Sequence, residues 1–236
     1  MIIPGTAHKP YYSPNGDRVP SVTTILGVVD KNLANWANKL GLEGKSLSDE
    51  STNTMGIGTL LHGYIEGMFR NDDVDDSGFT EEQKEIAQKC FGKFSIWASG
   101  HQIVPLSLEH SLTSDRYGGT MDAILEIDGV VTIMDWKTSK SIYPEYFAQL
   151  SAYYNLLEDG IRGKVQQVGI LKVPKENGCH AWNTISIRGI IWLVCCAGDY
   201  HFLSPPQLHG FISSSKKSPC QPHFEHFKYS SVGDKS

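Results

Sequence analysis

The sequence predicts an α/β fold, a central β-sheet flanked by helices, and three observations carry that prediction. Two β-type runs, 123–127 and 130–134, flank Asp128-Gly129, the strongest short hairpin signal. Helical segments with start and stop signals precede and follow this hairpin. Further strand-like runs come after the last helix, at Gln167–Val173 and around Trp182–Ile187. Both faces of the hairpin are apolar, with Ile124, Val131 and Ile133 on one and Met121, Ala123, Leu125, Ile127, Val130, Met134 and Trp136 on the other. Such a hairpin belongs inside a sheet covered on both sides. With 236 residues, 40% of them apolar, the chain can build one sizeable core and a tail.

In chain order, Pro14-Asn15-Gly16-Asp17 marks a turn within Tyr11–Arg18. Ser21–Val29 and Asn32–Leu40 read as short helices, with Asp30 and Gly41 as boundary residues. The polar stretch Glu43–Thr54 reads as a mobile connector before a helix that carries Gly58, His62 and Glu66. Thr80-Glu81-Glu82-Gln83 has capping-box form and opens a helix to about Ala98, with Ile86, Phe91, Phe94 and Trp97 as its core positions. Pro105–His110 is a strand, the hairpin follows, and the next helix carries Phe147, Leu150 and Tyr154 as an apolar stripe. No internal repeat is present.

If Asp128 and Gly129 are the loop, Ile127 pairs with Val130, and the same register sets Asp122 opposite Asp135. The two-residue pleat then places Lys137 on the face of Asp135. Facing carboxylates repel, and one of them gains a raised pKa unless a cation sits between them. His62 and Glu66 lie one helical turn apart on a shared face, with the small Gly58 allowing a close approach beneath. Gln149 is a polar amide on the helix after the hairpin, within reach of Lys137 or a phosphate, and shares its face with Tyr153. Glu109 sits in the strand before Asp122, where an uncertain register leaves it an additional acid.

These residues resemble the PD-(D/E)XK nuclease superfamily, in its RecB-like branch of phage, CRISPR-adaptation and mitochondrial exonucleases. Gly118-Gly119-Thr120-Met121-Asp122 resembles the strand-borne metal aspartate of that branch, and Asp135-Trp136-Lys137 its acid-x-Lys motif. Gln149-Leu150-Ser151-Ala152-Tyr153 resembles its Gln-x-x-x-Tyr helix, and Gly58 through His62 to Glu66 its Gly-x-x-x-His-x-x-x-Glu helix. The resemblance runs from about Val19 to about Val173, with the four elements in order. It implies a restriction-endonuclease-like core with a mixed sheet, over residues 1–202, and a metal-dependent DNA exonuclease acting at single-stranded DNA ends in replication, recombination or repair. Asp122, Asp135 and Lys137 would be catalytic. His62, Asp122, Asp135 and the Trp136 backbone carbonyl would hold metal, with Glu66, Glu109, Gln149 and Tyr153 in supporting or substrate-positioning roles, Glu66 orienting His62 or a bound water. One imidazole among oxygen ligands suits Mg²⁺ or Mn²⁺. The alternative is a catalytically silent nucleic-acid-binding accessory protein of the same fold, and a third reading is a metal-stabilised structural domain. The lysine beside paired acids argues against both, since neither needs one.

Charge and cysteines set further limits. A net charge of −5 argues against strong nonspecific duplex binding and fits a narrow, locally basic channel for one strand. The five cysteines, Cys90, Cys179, Cys195, Cys196 and Cys220, form no Cys-x-x-Cys pair, so reduced intracellular thiols are expected. None precedes Cys90, whereas cluster-bearing RecB-like nucleases use one near the N-terminus, so no iron-sulfur cluster is expected. The early residues lack the Arg-rich character of a transit peptide, and Ile190–Ala197 is too short to span a bilayer, which together predict a cytoplasmic protein without a membrane partner. Residues 203–236 carry four lysines against two acids with many Ser and Pro, and read as a disordered, weakly basic tail. His223 and His226 within it lack further ligands nearby.

Overall fold

The computed structural model describes residues 1–4, 10–27, 34–176, 180–187 and 212–214. Its centre is a mixed sheet of five strands extended by a short sixth at one edge. These are β3 (Ile103–Thr113), β4 (Gly118–Ile127), β5 (Val130–Lys137), β6 (Gln167–Lys172), β7 (Ala181–Ser186) and β8 (Ile212–Ser214), neighbours in that order. All pair antiparallel except β5 with β6. Parallel neighbours need a crossover, which α5 (Pro144–Leu156) and the single turn α6 (Asp159–Arg162) supply. β8 falls inside the segment expected to be a tail, so these three residues belong to the sheet; the remainder of 203–236, with His223 and His226, lies outside the described residues.

Ahead of the sheet come the small hairpin β1 (Tyr11–Tyr12) and β2 (Arg18–Val19), α1 (Val22–Leu26), α2 (Ala34–Leu42), α3 (Leu47–Arg70) and α4 (Glu81–Ser99). The β1–β2 turn falls where Pro14–Asp17 placed it, with Gly16 at φ 88°. Ser21 caps α1 through the Thr24 amide, and the helix stops at Gly27. Two expectations require correction. α2 runs through Gly41 to Leu42. Leu47–Thr54, expected to be a mobile connector, forms the first two turns of α3, because Ser46 caps the Asp49 amide and Asp49 and Glu50 complement the positive helix end. The polar composition that suggested a loop is that of a capped helix start. At α4 the capping box forms, Thr80 accepting from the Gln83 amide and Gln83 from the Thr80 amide.

Helices cover both faces of the sheet. On one, Val22 of α1 and Phe147, Leu150 and Tyr153 of α5 pack against Ile124, Ile133, Val168 and Ile170. On the other, Leu61 and Ile65 of α3 and Phe94 and Trp97 of α4 pack against Ala123, Leu125, Met134, Trp136 and Leu171. The expected alternation holds along β4 except at Met121, which packs with the α5 layer rather than beside Ala123. The break falls at Asp122, in register with Glu109, whose φ of 49° is left-handed. Among the described residues no helix is long and apolar enough to cross a membrane.

Candidate active site and metal centre

The β4–β5 hairpin has the register its turn dictates, Ile127 with Val130 through Ala123 with Met134. Beyond that pair the strands separate, so Asp122 and Asp135, expected directly opposite one another, lie past the end of the ladder and are not a cross-strand pair. β4 continues along β3 to Gly118, while β5 continues along β6, Asp135 opposite Ile170 and Lys137 opposite Lys172. Asp122 stands at the fork, and its Oδ2 accepts a hydrogen bond from the Trp136 amide at 2.9 Å, in place of a ladder bond. The two acids thus occupy adjacent strands where they part, a gap flanked by α3 and α5.

From α3, His62 enters the fork. Its Nδ1 is 3.4 Å from Asp122 Oδ2, and its Nε2 is 3.0 Å from the Trp136 carbonyl oxygen. Burial works against an imidazolium there, but Asp122 outweighs it, and the His62 pKa rises to about 9. Burial likewise opposes the Asp122 charge, and His62 reverses the balance, holding that carboxyl below its usual range.

From the α5 side, the Lys137 ammonium lies 2.9 Å from Asp135 Oδ1 and 2.7 Å from Oδ2. It also donates to Gln149 Oε1 at 3.4 Å, and Gln149 donates to the Tyr153 hydroxyl at 2.9 Å. Gln149 therefore holds Lys137, as its place on the helix suggested, with Tyr153 buttressing the amide. A Cβ at Gly119 would come within 2.5 Å of the Tyr153 ring, so the glycine lets α5 approach β4 closely enough for this relay. Burial raises the Asp135 pKa to about 6; Lys137 opposes the rise and Asp122 adds to it. Burial opposes the Lys137 charge, yet Asp135 and Asp122 hold the ammonium above the ordinary lysine value. Sequence reasoning missed Tyr146, whose ring centroid lies 5.0 Å from Lys137 Nζ. Its position three residues before Gln149 on α5 is the signal that could have found it.

Two supporting residues differ from expectation. Glu66 does not orient His62; its Oε1 accepts from Arg70 Nε at 2.7 Å, and Arg70 also donates to the Leu108 carbonyl, tying α3 to β3. Asp122 and the Trp136 carbonyl orient His62 instead. Gly58 serves no close approach, since a Cβ there would meet only Thr138 Oγ1 at 3.7 Å. Glu109, undetermined in register, reaches the site by its left-handed backbone. It, His62 and Asp122 place one ligand atom each within 4.8 Å of one another. Its carboxylate borders solvent, and desolvation by the surrounding protein, together with the Asp122 charge, raises its pKa to about 7.

His62, Glu66, Glu109, Asp122, Asp135, Lys137, Gln149 and Tyr153 line one open cleft of about 770 Å³. Carboxylates, a carbonyl and an imidazole form a donor set suited to a hard divalent cation. Asp135 Oδ2 is buried, and its one close partner is the Lys137 ammonium at 2.7 Å, so this carboxylate is charge-paired within the site. The chain matches no protein-family model, and comparison with curated proteins finds no match.

Proposed function

We propose that this chain is a metal-dependent DNA exonuclease with a restriction-endonuclease-like core, hydrolysing phosphodiester bonds at single-stranded DNA ends with Mg²⁺ or Mn²⁺. The observation that carries the reading is the convergence of His62, Asp122, Asp135 and Lys137 at the point where β4 and β5 part, with Glu109 beside His62 and Asp122. The exonuclease rather than endonuclease assignment rests on the RecB-like resemblance.

Asp122, Asp135, His62 and the Trp136 carbonyl would hold the ion, with Glu109 as a further oxygen donor. Bound there, a divalent ion polarises a phosphate and lowers the pKa of a coordinated water. Lys137 is held as an ammonium by its two acids, which suits stabilisation of charge developing on phosphate oxygens better than removal of a proton. Gln149 and Tyr153 fix the direction of that ammonium. Arg70 and Glu66 keep α3, and so His62, at a set distance from β3.

The test is cleavage of end-labelled single- and double-stranded oligonucleotides with Mg²⁺, with Mn²⁺ and with chelator. Metal-dependent release of nucleotides from single-stranded ends is expected. No cleavage under any condition would overturn the nuclease reading in favour of a silent binding protein of the same fold.

A further inference from the structure

A second cavity, of about 540 Å³, adjoins the cleft and shares Tyr11, Ser21 and Thr23 with it. Arg18 and Thr24 line it as well. The cleft itself is acidic, and its cations are engaged, Lys137 with Asp135 and His62 with Asp122. Arg18 makes no ion pair or side-chain hydrogen bond among the described residues. The hydroxyls continue from one cavity to the other. Ser111 and Tyr11 both meet Thr120, at 2.8 and 2.9 Å, and Ser21 meets Thr23 and Thr24 at 2.9 and 2.8 Å. In the Ser21 group three hydroxyl protons serve two contacts, which leaves one to donate outward.

We propose that Arg18, with the hydroxyls of Tyr11, Ser21, Thr23 and Thr24, is a phosphate subsite for the nucleic-acid strand adjoining the scissile position. The inference rests on the nuclease reading for the identity of the strand. Guanidinium and hydroxyl groups are the side chains that contact phosphate without reading sequence. The subsite is fixed relative to Asp122. The Gly118 amide donates to the Pro20 carbonyl at 3.0 Å, Ser21 bridges to Gly118, and the Tyr11 ring packs where a Gly118 Cβ would stand. A strand lying across this hydroxyl wall passes from the acidic centre to the Arg18 guanidinium.

The test is binding of a fluorescein-labelled twelve-residue oligothymidylate to the full chain in chelator, by anisotropy across a salt series, for wild type, Arg18→Gln and Arg18→Lys. Loss of one phosphate contact lowers the slope of log affinity against log salt by about 0.7. Arg18→Gln is expected to bind several-fold more weakly with that smaller slope, while Arg18→Lys keeps the wild-type slope. Wild-type affinity in Arg18→Gln, weaker binding with an unchanged slope, or no binding by wild type would each overturn the subsite. Cleavage plays no part in this readout, so an inactive chain that still binds through Arg18 refutes the nuclease reading alone. An active chain indifferent to Arg18 refutes the subsite alone.

Discussion

His62 Nε2 lies 3.0 Å from the Trp136 carbonyl oxygen while its other ring nitrogen faces Asp122, so the imidazole bridges two groups that both accept protons. Without metal, this arrangement favours the doubly protonated ring. The imidazolium thereby offsets the charge of the neighbouring Asp122 carboxylate. The same separation suits two adjacent ligands of an octahedral ion, which stand roughly 3 Å apart when each bond is about 2.1 Å. Proton and metal would compete for one nitrogen.

The first prediction follows from that competition. The folded His62 pKa is about 9, above its ordinary 6.5. Its contribution to stability is therefore fully present below pH 6.5 and lost as pH rises through about 9. In chelator, wild type should melt at progressively lower temperature across this window relative to His62→Gln, whose side chain does not titrate. Mn²⁺ should raise the melting temperature of wild type more at the upper end of the window, because a neutral ring is the better ligand. Parallel melting curves for the two proteins from pH 6.5 to 9 would show that His62 does not bridge Asp122 and Trp136 in solution.

Asp135→Asn tests the other acid. Burial raises the Asp135 pKa to about 6 from 3.8, so its stabilising contribution is present below pH 3.8 and lost as pH rises through about 6. Asparagine resembles the protonated acid and cannot ionise. Removing one member of a buried ion pair usually destabilises, but Lys137 keeps Gln149 as a partner and a side chain 20% exposed. In chelator at pH 7 the variant should match wild type or melt higher by on the order of a few degrees. Its metal-dependent cleavage should fall to background. A variant cleaving at near wild-type rate in Mg²⁺ would remove Asp135 from the proposed metal site.

The hairpin was legible because an Asp-Gly turn with period-two pairing leaves little freedom, and the same register brings Asp122 and Asp135 to the fork. What followed from it was harder to read. Glu109 depends on one left-handed residue inside β3, a conformation that no sequence pattern predicts for glutamate. Helical spacing shows that Glu66 shares a face with His62, not that Arg70, one turn further on, would engage its Oε1 in place of the imidazole. The first turns of α3 were missed because Ser, Thr and Asp favour caps and loops alike, and only the Ser46 cap decides between them.

Glu109 provides a third prediction. A non-glycine residue in the left-handed region costs about 1–2 kcal/mol, and asparagine tolerates it better than glutamate. Glu109→Asn should stabilise the chelated protein by about 1 kcal/mol, while also removing a carboxylate crowded against Asp122. If Glu109 donates to the metal, the same change should weaken Mn²⁺ binding and require more metal for half-maximal cleavage. Gained stability with unaltered metal dependence would restrict Glu109 to a structural role.

Lys137 is where a catalytic and a purely structural role diverge most. As an ammonium held by Asp135 and Gln149, it would act on charge that appears only in the transition state. Lys137→Ala should therefore still bind single-stranded DNA and metal, yet cleave on the order of a hundredfold more slowly, as loss of one charge stabiliser typically does. Gln149→Ala should have a smaller effect in the same direction, because the ammonium would keep its charge but lose one of its two anchors. A structural lysine behaves differently. Its removal would strand the buried Asp135 carboxylate and lower stability without a selective effect on the chemical step. Single-turnover cleavage, equilibrium DNA binding and melting temperature measured on both variants separate these cases. A Lys137→Ala protein that binds poorly but cleaves normally at saturating DNA would rule out the charge-stabilising role.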